Sequence, residues 1–279
     1  YMSWRQWIDH GMEAQFNPRV AVGAETENCL QSWEDDAARR KAELAGAFDI
    51  AYGAHQLMRF DYMPAQAGLP VIINIHGGYW RALDKSIMMH HMADLAASGF
   101  GIVNVNYPLC PEVSLTEIMA ALNGGLTDIV SHCDWHTDSQ RYVLMGHSAG
   151  AHMAMHLSHH PALAGRLPAV VALSGIYETG LVRELPVNDD VRLSVAEAER
   201  WDCLQNMPVS GPTYYISAGG HEPSGWIDQS WEMANELSRR GDKVTFHICS
   251  GAHHFSLVDR LCDRHNPEGA KLHRWIADH

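Results

Sequence analysis

The stretch Arg141-Tyr142-Val143-Leu144-Met145-Gly146-His147-Ser148-Ala149-Gly150 decides the fold of this chain. An apolar run ends in Gly-His-Ser-Ala-Gly and a helical pattern starts at Ala151, which reads as strand, tight turn, helix. A turn that tight tolerates almost no side chain at its flanks, and Gly146, Ala149 and Gly150 meet that demand. Ser148 is left strained at the apex, its hydroxyl exposed at a helix N-terminus. It is the first candidate nucleophile.

Working outward, alternating short apolar runs and helical stretches continue from residue 48 to the end with no repeat or linker. Strand candidates are Phe48–Tyr52, Leu57–Tyr62, Val71–Ile75, Gly101–Asn106, Tyr142–Met145, Val170–Ser174, Thr213–Ser217 and Lys243–Ile248. The first two lie close enough for a hairpin. Helical patterns near 84–98, 114–133, 149–160, 227–240 and 267–277 separate the others, so crossovers make the remainder parallel. The expectation is one α/β domain over 1–279, an eight-stranded mostly parallel sheet flanked by helices. Residues 178–208 interrupt the rhythm and read as a small cap insertion over the strand C-termini, where open parallel sheets bind ligands. Residues 1–46 form an N-terminal helical segment, charge-rich from Trp33 to Leu44, that packs over the sheet edge or the site.

His76-Gly77-Gly78-Tyr79-Trp80 follows the buried strand that ends at Ile75. Glycines there free the backbone N–H groups of Gly78 and Tyr79 to turn inward and join that of Ala149 as an oxyanion hole. His76 is expected to brace this loop. A serine hydroxyl is a weak nucleophile until a positioned base takes its proton, so a histidine oriented by a carboxylate is required. With 19 histidines in the chain the choice is wide, but Gly251-Ala252-His253-His254-Phe255 follows the last strand, making His253 or His254 the base. Gly219-Gly220-His221-Glu222 follows the seventh strand and offers Glu222 as the acid. Glu178 and Asp259 are the alternatives, each read as a surface or cap residue. His90/His91, His159/His160 and the His152/His156 pair lack a Cys or carboxylate at a recognisable spacing, so no metal is expected.

Composition narrows the partners. A formal charge of −13 from 20 Lys+Arg and 33 Asp+Glu disfavours nucleic acid and anionic membranes. The longest apolar runs fall far short of the roughly 20 residues that span a bilayer. No leader pattern opens the sequence, and Tyr1 before Met2 reads as a vector remnant. Six widely spaced cysteines suit a reduced, cytoplasmic protein. The expected partner is a small-molecule ester or amide without any cofactor, and a homodimer stays open.

These residues resemble an α/β-hydrolase, and within that superfamily the arylformamidase (kynurenine formamidase) and short-chain esterase group. His76-Gly77-Gly78-Tyr79-Trp80 carries the distinction, because lipase-like relatives usually keep a third glycine where this chain has Tyr79-Trp80. The similarity runs through Asp49-Ile50-Ala51-Tyr52-Gly53, Asn106-Tyr107-Pro108-Leu109, Ser174-Gly175-Ile176-Tyr177, the Glu222 loop with Gln229-Ser230, and His254-Phe255. It implies a nucleophile at Ser148, an acid at Glu222 and a base at His254, since the family's histidine precedes a phenylalanine. Two positions depart from the family: its acid is often Asp, and the acidic-aromatic pair after it is here Gly225-Trp226. The implied activity is hydrolysis of a small-acyl ester or aryl formamide, N-formylkynurenine being the sharpest candidate, with Trp80, Tyr177 and Trp226 as an aromatic substrate wall. A general short-chain carboxylesterase is the alternative. A catalytically silent hydrolase-fold binding protein is the rival of another class, separable by fluorophosphonate labelling.

Overall fold

The computed structural model describes residues 11–134 and 140–279. Three helices come first, α1 (Gly11–Phe16), α2 (Pro18–Val22) and α3 (Glu25–Ala42), followed by strands β1 (Ala47–Ala51), β2 (Arg59–Met63) and β3 (Val71–Ile75). The chain continues through α4 (Met89–Ala97), β4 (Gly101–Val105), α5 (Leu115–Asp134), β5 (Tyr142–His147), α6 (Ala149–Leu157) and β6 (Ala169–Leu173). Short helices α7 (Asn188–Val191) and α8 (Val195–Arg200) precede β7 (Thr213–Gly219) and α9 (Ser224–Arg240). The last elements are β8 (Val244–Cys249), α10 (Ser256–Cys262) and α11 (Pro267–Ala277).

All eight strands join one sheet in the order β1-β2-β4-β3-β5-β6-β7-β8. β2 is antiparallel to both β1 and β4, and every other pairing is parallel. Helices cover both faces, so β3 to β6 are buried along their whole length and read in sequence as mostly apolar runs, with Asn74 and Asn104 bonded to each other across the β3–β4 pair. The pleat divides those runs between two cores. Ile72, Ile102, Val143 and Val171 pack with Leu30, Met92 and Leu261 on one face. Ile73, Val103, Leu144 and Val170 pack with Leu126, Met153 and Met233 on the other.

The helical expectation over 84–98 splits in two. Asp84 caps a 3-10 turn at Lys85–Met88 by accepting from the Ser86 N–H at 2.8 Å, and only then does α4 begin. Lys85 explains the break, because its Nζ is buried 2.6 Å from Asp61 Oδ1 and 2.7 Å from Asp49 Oδ1. A buried ammonium without those partners would cost several kcal/mol. Similarly, α9 begins at Ser224 rather than 227, because Pro223 supplies an extended residue ahead of the first turn. The N-terminal helix is longer than its charged part: α3 spans Glu25–Ala42 and turns Leu30 and Trp33 into the core. Between β6 and β7 the inserted residues form a 3-10 turn (Thr179–Glu184), α7 and α8. No described helix is long and apolar enough to cross a membrane, and all six cysteines are free.

Candidate active site

Ile75 pairs with Gly146 in parallel register, so the loop after β3 and the turn after β5 leave the sheet side by side. Ser148 sits in that turn at φ 57° and ψ −122°, as strained as the sequence motif demands. Close packing dictates its glycines. A Cβ at position 150 would lie 1.9 Å from the Ile75 carbonyl oxygen, and one at position 146 would lie 2.2 Å from the Gly150 carbonyl carbon. A Cβ at Gly77 would lie 3.2 Å from Ser148 Cβ, which brings the His76–Trp80 loop directly against the serine.

Gly78, Tyr79 and Trp80 all adopt positive φ (108°, 51° and 57°). The N–H groups of Gly78 and Tyr79 donate to no backbone carbonyl among the described residues, and that of Ala149, first in α6, has no intrahelical acceptor. Three donors are therefore available beside Ser148. The loop is braced from behind. His76 lies 2.8 Å from the Gly77 oxygen through Nδ1 and 2.9 Å from Asn106 Oδ1 through Nε2. Its ring stacks on Tyr107, whose hydroxyl donates to the His76 carbonyl at 2.8 Å. Burial lowers the His76 pKa, against the bonds to Gly77 and Asn106 that raise it. Asn106 in turn donates to Asp84 at 2.6 Å, which links the loop to the Lys85 turn.

His254 Nδ1 donates to Glu222 Oε1 at 2.6 Å, leaving Nε2 bare for a proton. Glu222 is itself fixed: its Oε2 accepts from the Gly219 N–H at 2.6 Å, and its Oε1 accepts from Ser174 Oγ at 2.5 Å. Ser148 and His254 line one cavity of about 350 Å³. Ser174 and His147 belong to this constellation although the sequence reading passed over both. His147 donates from Nε2 to the His254 carbonyl at 3.0 Å, and burial together with neighbouring His254 drives its pKa well below the usual histidine value. It is a neutral prop for the loop carrying His254.

Other candidates lie elsewhere. His253 Nδ1 accepts from the N–H of Ser256, 3.3 Å away, and its Nε2 lies 3.7 Å from Glu25, so it caps α10. Glu178 opens the cap insertion and does not line the cavity. Asp259 Oδ1 accepts from Trp33 Nε1 at 2.7 Å and His91 Nε2 at 2.9 Å. Burial opposes its charge, but the imidazoles of His90 and His91 beside it hold the carboxyl well below the usual carboxylate range.

The expected aromatic wall needs correction. Trp80, Tyr177 and Trp226 are fully buried and none lines the cavity. Trp80 packs edge-on against His152 at 5.0 Å, and Trp226 lies 4.6 Å from the His254 ring, supporting it from the protein side. The cavity is walled instead by Phe16, Trp33, Tyr79, Leu185, Val187 and Phe255, drawn from the N-terminal segment, the His76–Trp80 loop, the segment between β6 and β7 and the residue after His254. Arg19 and Arg81 are its charged lining residues. The N-terminal segment had no motif that pointed to a site.

The histidine pairs also need correction, because the fold supplies partners that sequence spacing hides. Cys203 joins His152 and His156, and Asp259 joins His90 and His91. In the first group both Nε2 atoms donate to the Trp201 carbonyl, at 2.7 and 2.8 Å, fastening the cap insertion to α6.

An eight-stranded sheet with a strained serine between β5 and α6, and a carboxylate-bound histidine after β8, defines an α/β-hydrolase. The chain is similar to kynurenine formamidases in sequence and to esterases in fold. The BD-FAE family model matches residues 61–164. Kynurenine formamidase of Drosophila melanogaster is 26% identical over 203 residues, covering 68% of this chain and 67% of that protein. Kynurenine formamidase of Danio rerio is 23% identical over 277 residues, covering 93% of this chain and 94% of that one. Among solved structures, a candidate thioesterase from Silicibacter sp. TM1040 superposes with a TM-score of 0.79 at 22% identity, covering 93% of this chain and 98% of its own. An esterase from Mycobacterium marinum gives 0.66 at 20% identity, covering 96% and 97%.

Proposed function

We propose that this chain is a serine hydrolase that cleaves small-acyl esters or aryl formamides through an acyl-enzyme. Ser148 Oγ attacks the substrate carbonyl carbon while His254 Nε2 takes the hydroxyl proton. The N–H groups of Gly78, Tyr79 and Ala149 hold the oxygen that becomes negative. His254 then returns the proton to the leaving oxygen or nitrogen as its bond to the acyl carbon breaks. Water repeats the cycle, with His254 removing its proton and Ser148 leaving as the acid is released. Glu222 keeps Nδ1 protonated throughout and stabilises the imidazolium. The observation that supports this most directly is the bond between His254 Nδ1 and Glu222 Oε1 at 2.6 Å beside the strained Ser148.

Aryl formamides are the favoured substrates. The kynurenine formamidase relatives span nearly the whole chain at modest identity. The cavity, at about 350 Å³, sits at the small end of ligand pockets and carries aromatic walls from Phe16, Trp33, Tyr79 and Phe255. Esterase-like neighbours support the second reading, a general short-chain carboxylesterase. Measuring formate release from N-formylkynurenine alongside hydrolysis of nitrophenyl acetate separates them. Formate release at a kcat/KM above that for the acetate ester establishes the formamidase, ester cleavage alone leaves the esterase, and neither activity together with no fluorophosphonate labelling overturns the proposal.

A further inference from the structure

A second cavity, of about 460 Å³, lies behind the catalytic one, and Trp33 lines both. Into it face His90, His91 and Asp259, with Glu25, Cys29 and Asp263 at its sides. The hydrolytic mechanism uses none of these groups. We infer that His90, His91 and Asp259 form a binding site for a divalent transition-metal ion.

The spacing argues for an ion more than for a closed hydrogen-bond network. His91 Nε2 lies 2.9 Å from Asp259 Oδ1, but His90 Nε2 lies 3.5 Å from the same oxygen, beyond a good N–H···O bond. Two ligands on one tetrahedral ion, with metal–ligand bonds of roughly 2.0–2.2 Å, sit about 3.4 Å apart. The three ligand atoms all fall within 4.8 Å of one another. The same carboxylate oxygen is already oriented by Trp33 Nε1 at 2.7 Å, the kind of outer support that fixes a metal ligand. Two consecutive residues of α4 and one of α10 supply the donors, so helix packing sets the site before any ion arrives.

Donor chemistry selects the ion. Two imidazoles and one carboxylate suit Zn²⁺, Co²⁺ or Ni²⁺, whereas Mg²⁺ and Ca²⁺ prefer oxygen ligands alone. Glu25 and Asp263 add negative potential at the cavity wall, while Asp36 and Asp94 are already paired with Arg39 and Arg40 at 2.6 and 2.5 Å. Access is through the cavity, which leaves coordination positions for water beside the three protein ligands.

The test is calorimetric titration of the chelator-treated full chain with Zn²⁺, repeated with Co²⁺ followed by its visible absorption. One equivalent is expected to bind, unaffected by excess Mg²⁺. His90→Ala and Asp259→Asn each weaken it at least tenfold, and Cys203→Ser leaves it unchanged. His90 takes no part in the Trp33–Asp259 hydrogen bond, so His90→Ala carries the test should loss of that bond make Asp259→Asn unstable. Absence of saturable binding, unchanged affinity in His90→Ala, or loss of binding in Cys203→Ser overturns the inference.

Discussion

Ser174 Oγ approaches Glu222 Oε1 at 2.5 Å, the same oxygen that receives the His254 Nδ1 proton at 2.6 Å. Two donors on one carboxylate oxygen, with the Gly219 N–H on the other, leave Glu222 a single rotamer. The charge it presents to His254 is held by the ends of β6 and β7, not by its own flexible stem. That arrangement answers the extra methylene that glutamate has over aspartate.

Removing the Ser174 hydroxyl therefore lowers kcat without touching substrate. A hydrogen bond to a charged group contributes about 1.5–3 kcal/mol, so kcat in Ser174→Ala falls about 10- to 100-fold with KM little changed. Ser174 also occupies φ 45°, which glycine adopts without strain. Ser174→Gly should then fold at least as well as Ser174→Ala and show the same loss in kcat. Steady-state kinetics of both variants check the assignment, and a change confined to KM contradicts it.

Replacing Ser148 by Ala is expected to remove about 10³-fold or more of the activity and all fluorophosphonate labelling. What remains is background from binding and the oxyanion N–H groups. More than a tenth of wild-type activity in this variant would show that another nucleophile operates.

His254→Ala and Glu222→Gln are expected to cost far more activity than His253→Ala or Glu178→Gln. His253 caps α10, so its replacement acts on stability, by about 1 kcal/mol for a lost cap. Glu222→Gln keeps the shape but presents an amide to His254, which weakens both the tautomer and the imidazolium. Paired measurements of kcat and urea midpoint separate the two effects, and a greater kcat loss in His253→Ala than in His254→Ala reverses the assignment.

The strand-turn-helix around Ser148 was legible because local sterics write it into sequence: only small residues fit where a Cβ at 150 would meet Ile75 at 1.9 Å. Buried parallel strands were legible for a similar reason, since β3 to β6 are buried throughout and mostly apolar. Long-range pairings were not. Lys85 with Asp61, Asp259 with His91, and Cys203 with His156 join residues far apart in sequence, and no local pattern announces them. Trp80 shows the limit within a motif. The loop His76–Trp80 was expected directly after β3 and lies there, but whether its indole faces a cavity or the core depends on packing against distant residues such as His152.

Stability is expected to fall on acidification from pH 7 to pH 5. His91 and His156 are buried, and their pKa values drop to about 4. Burial is the larger cause at both, with His90 adding at His91. In the unfolded chain each titrates near about 6.5. Below that value the unfolded state gains protons that the folded state refuses, so each residue costs about 1–2 kcal/mol over this interval, and the loss levels off below pH 4. His147 and His152, with pKa values also driven well down, act in the same direction. Carboxylates with lowered pKa, such as Asp259, stay ionised in both states across this range and do not offset the trend. Urea midpoints at the two pH values measure it, and equal or greater stability at pH 5 contradicts it.

Substrate size is expected to be set by Tyr79 rather than by the Tyr79-Trp80 pair, because Trp80 is turned into the core. Tyr79 lines the cavity beside Gly78, and its hydroxyl donates to the Phe16 carbonyl, which fixes the ring across the space next to Ser148. A roomy acyl pocket would reward each added methylene with roughly 0.8 kcal/mol of burial, and kcat/KM would climb about fourfold per carbon. A cavity of about 350 Å³ that must also hold the leaving group gives the opposite trend. The expected series of nitrophenyl esters therefore declines steeply from acetyl to octanoyl. Tyr79→Ala keeps the backbone N–H at 79 while removing the ring, so it should raise the octanoyl-to-acetyl ratio of kcat/KM by at least tenfold. A wild-type optimum at eight carbons or longer, or a ratio unmoved by Tyr79→Ala, places the acyl chain elsewhere in the cavity and removes Tyr79 as its limit.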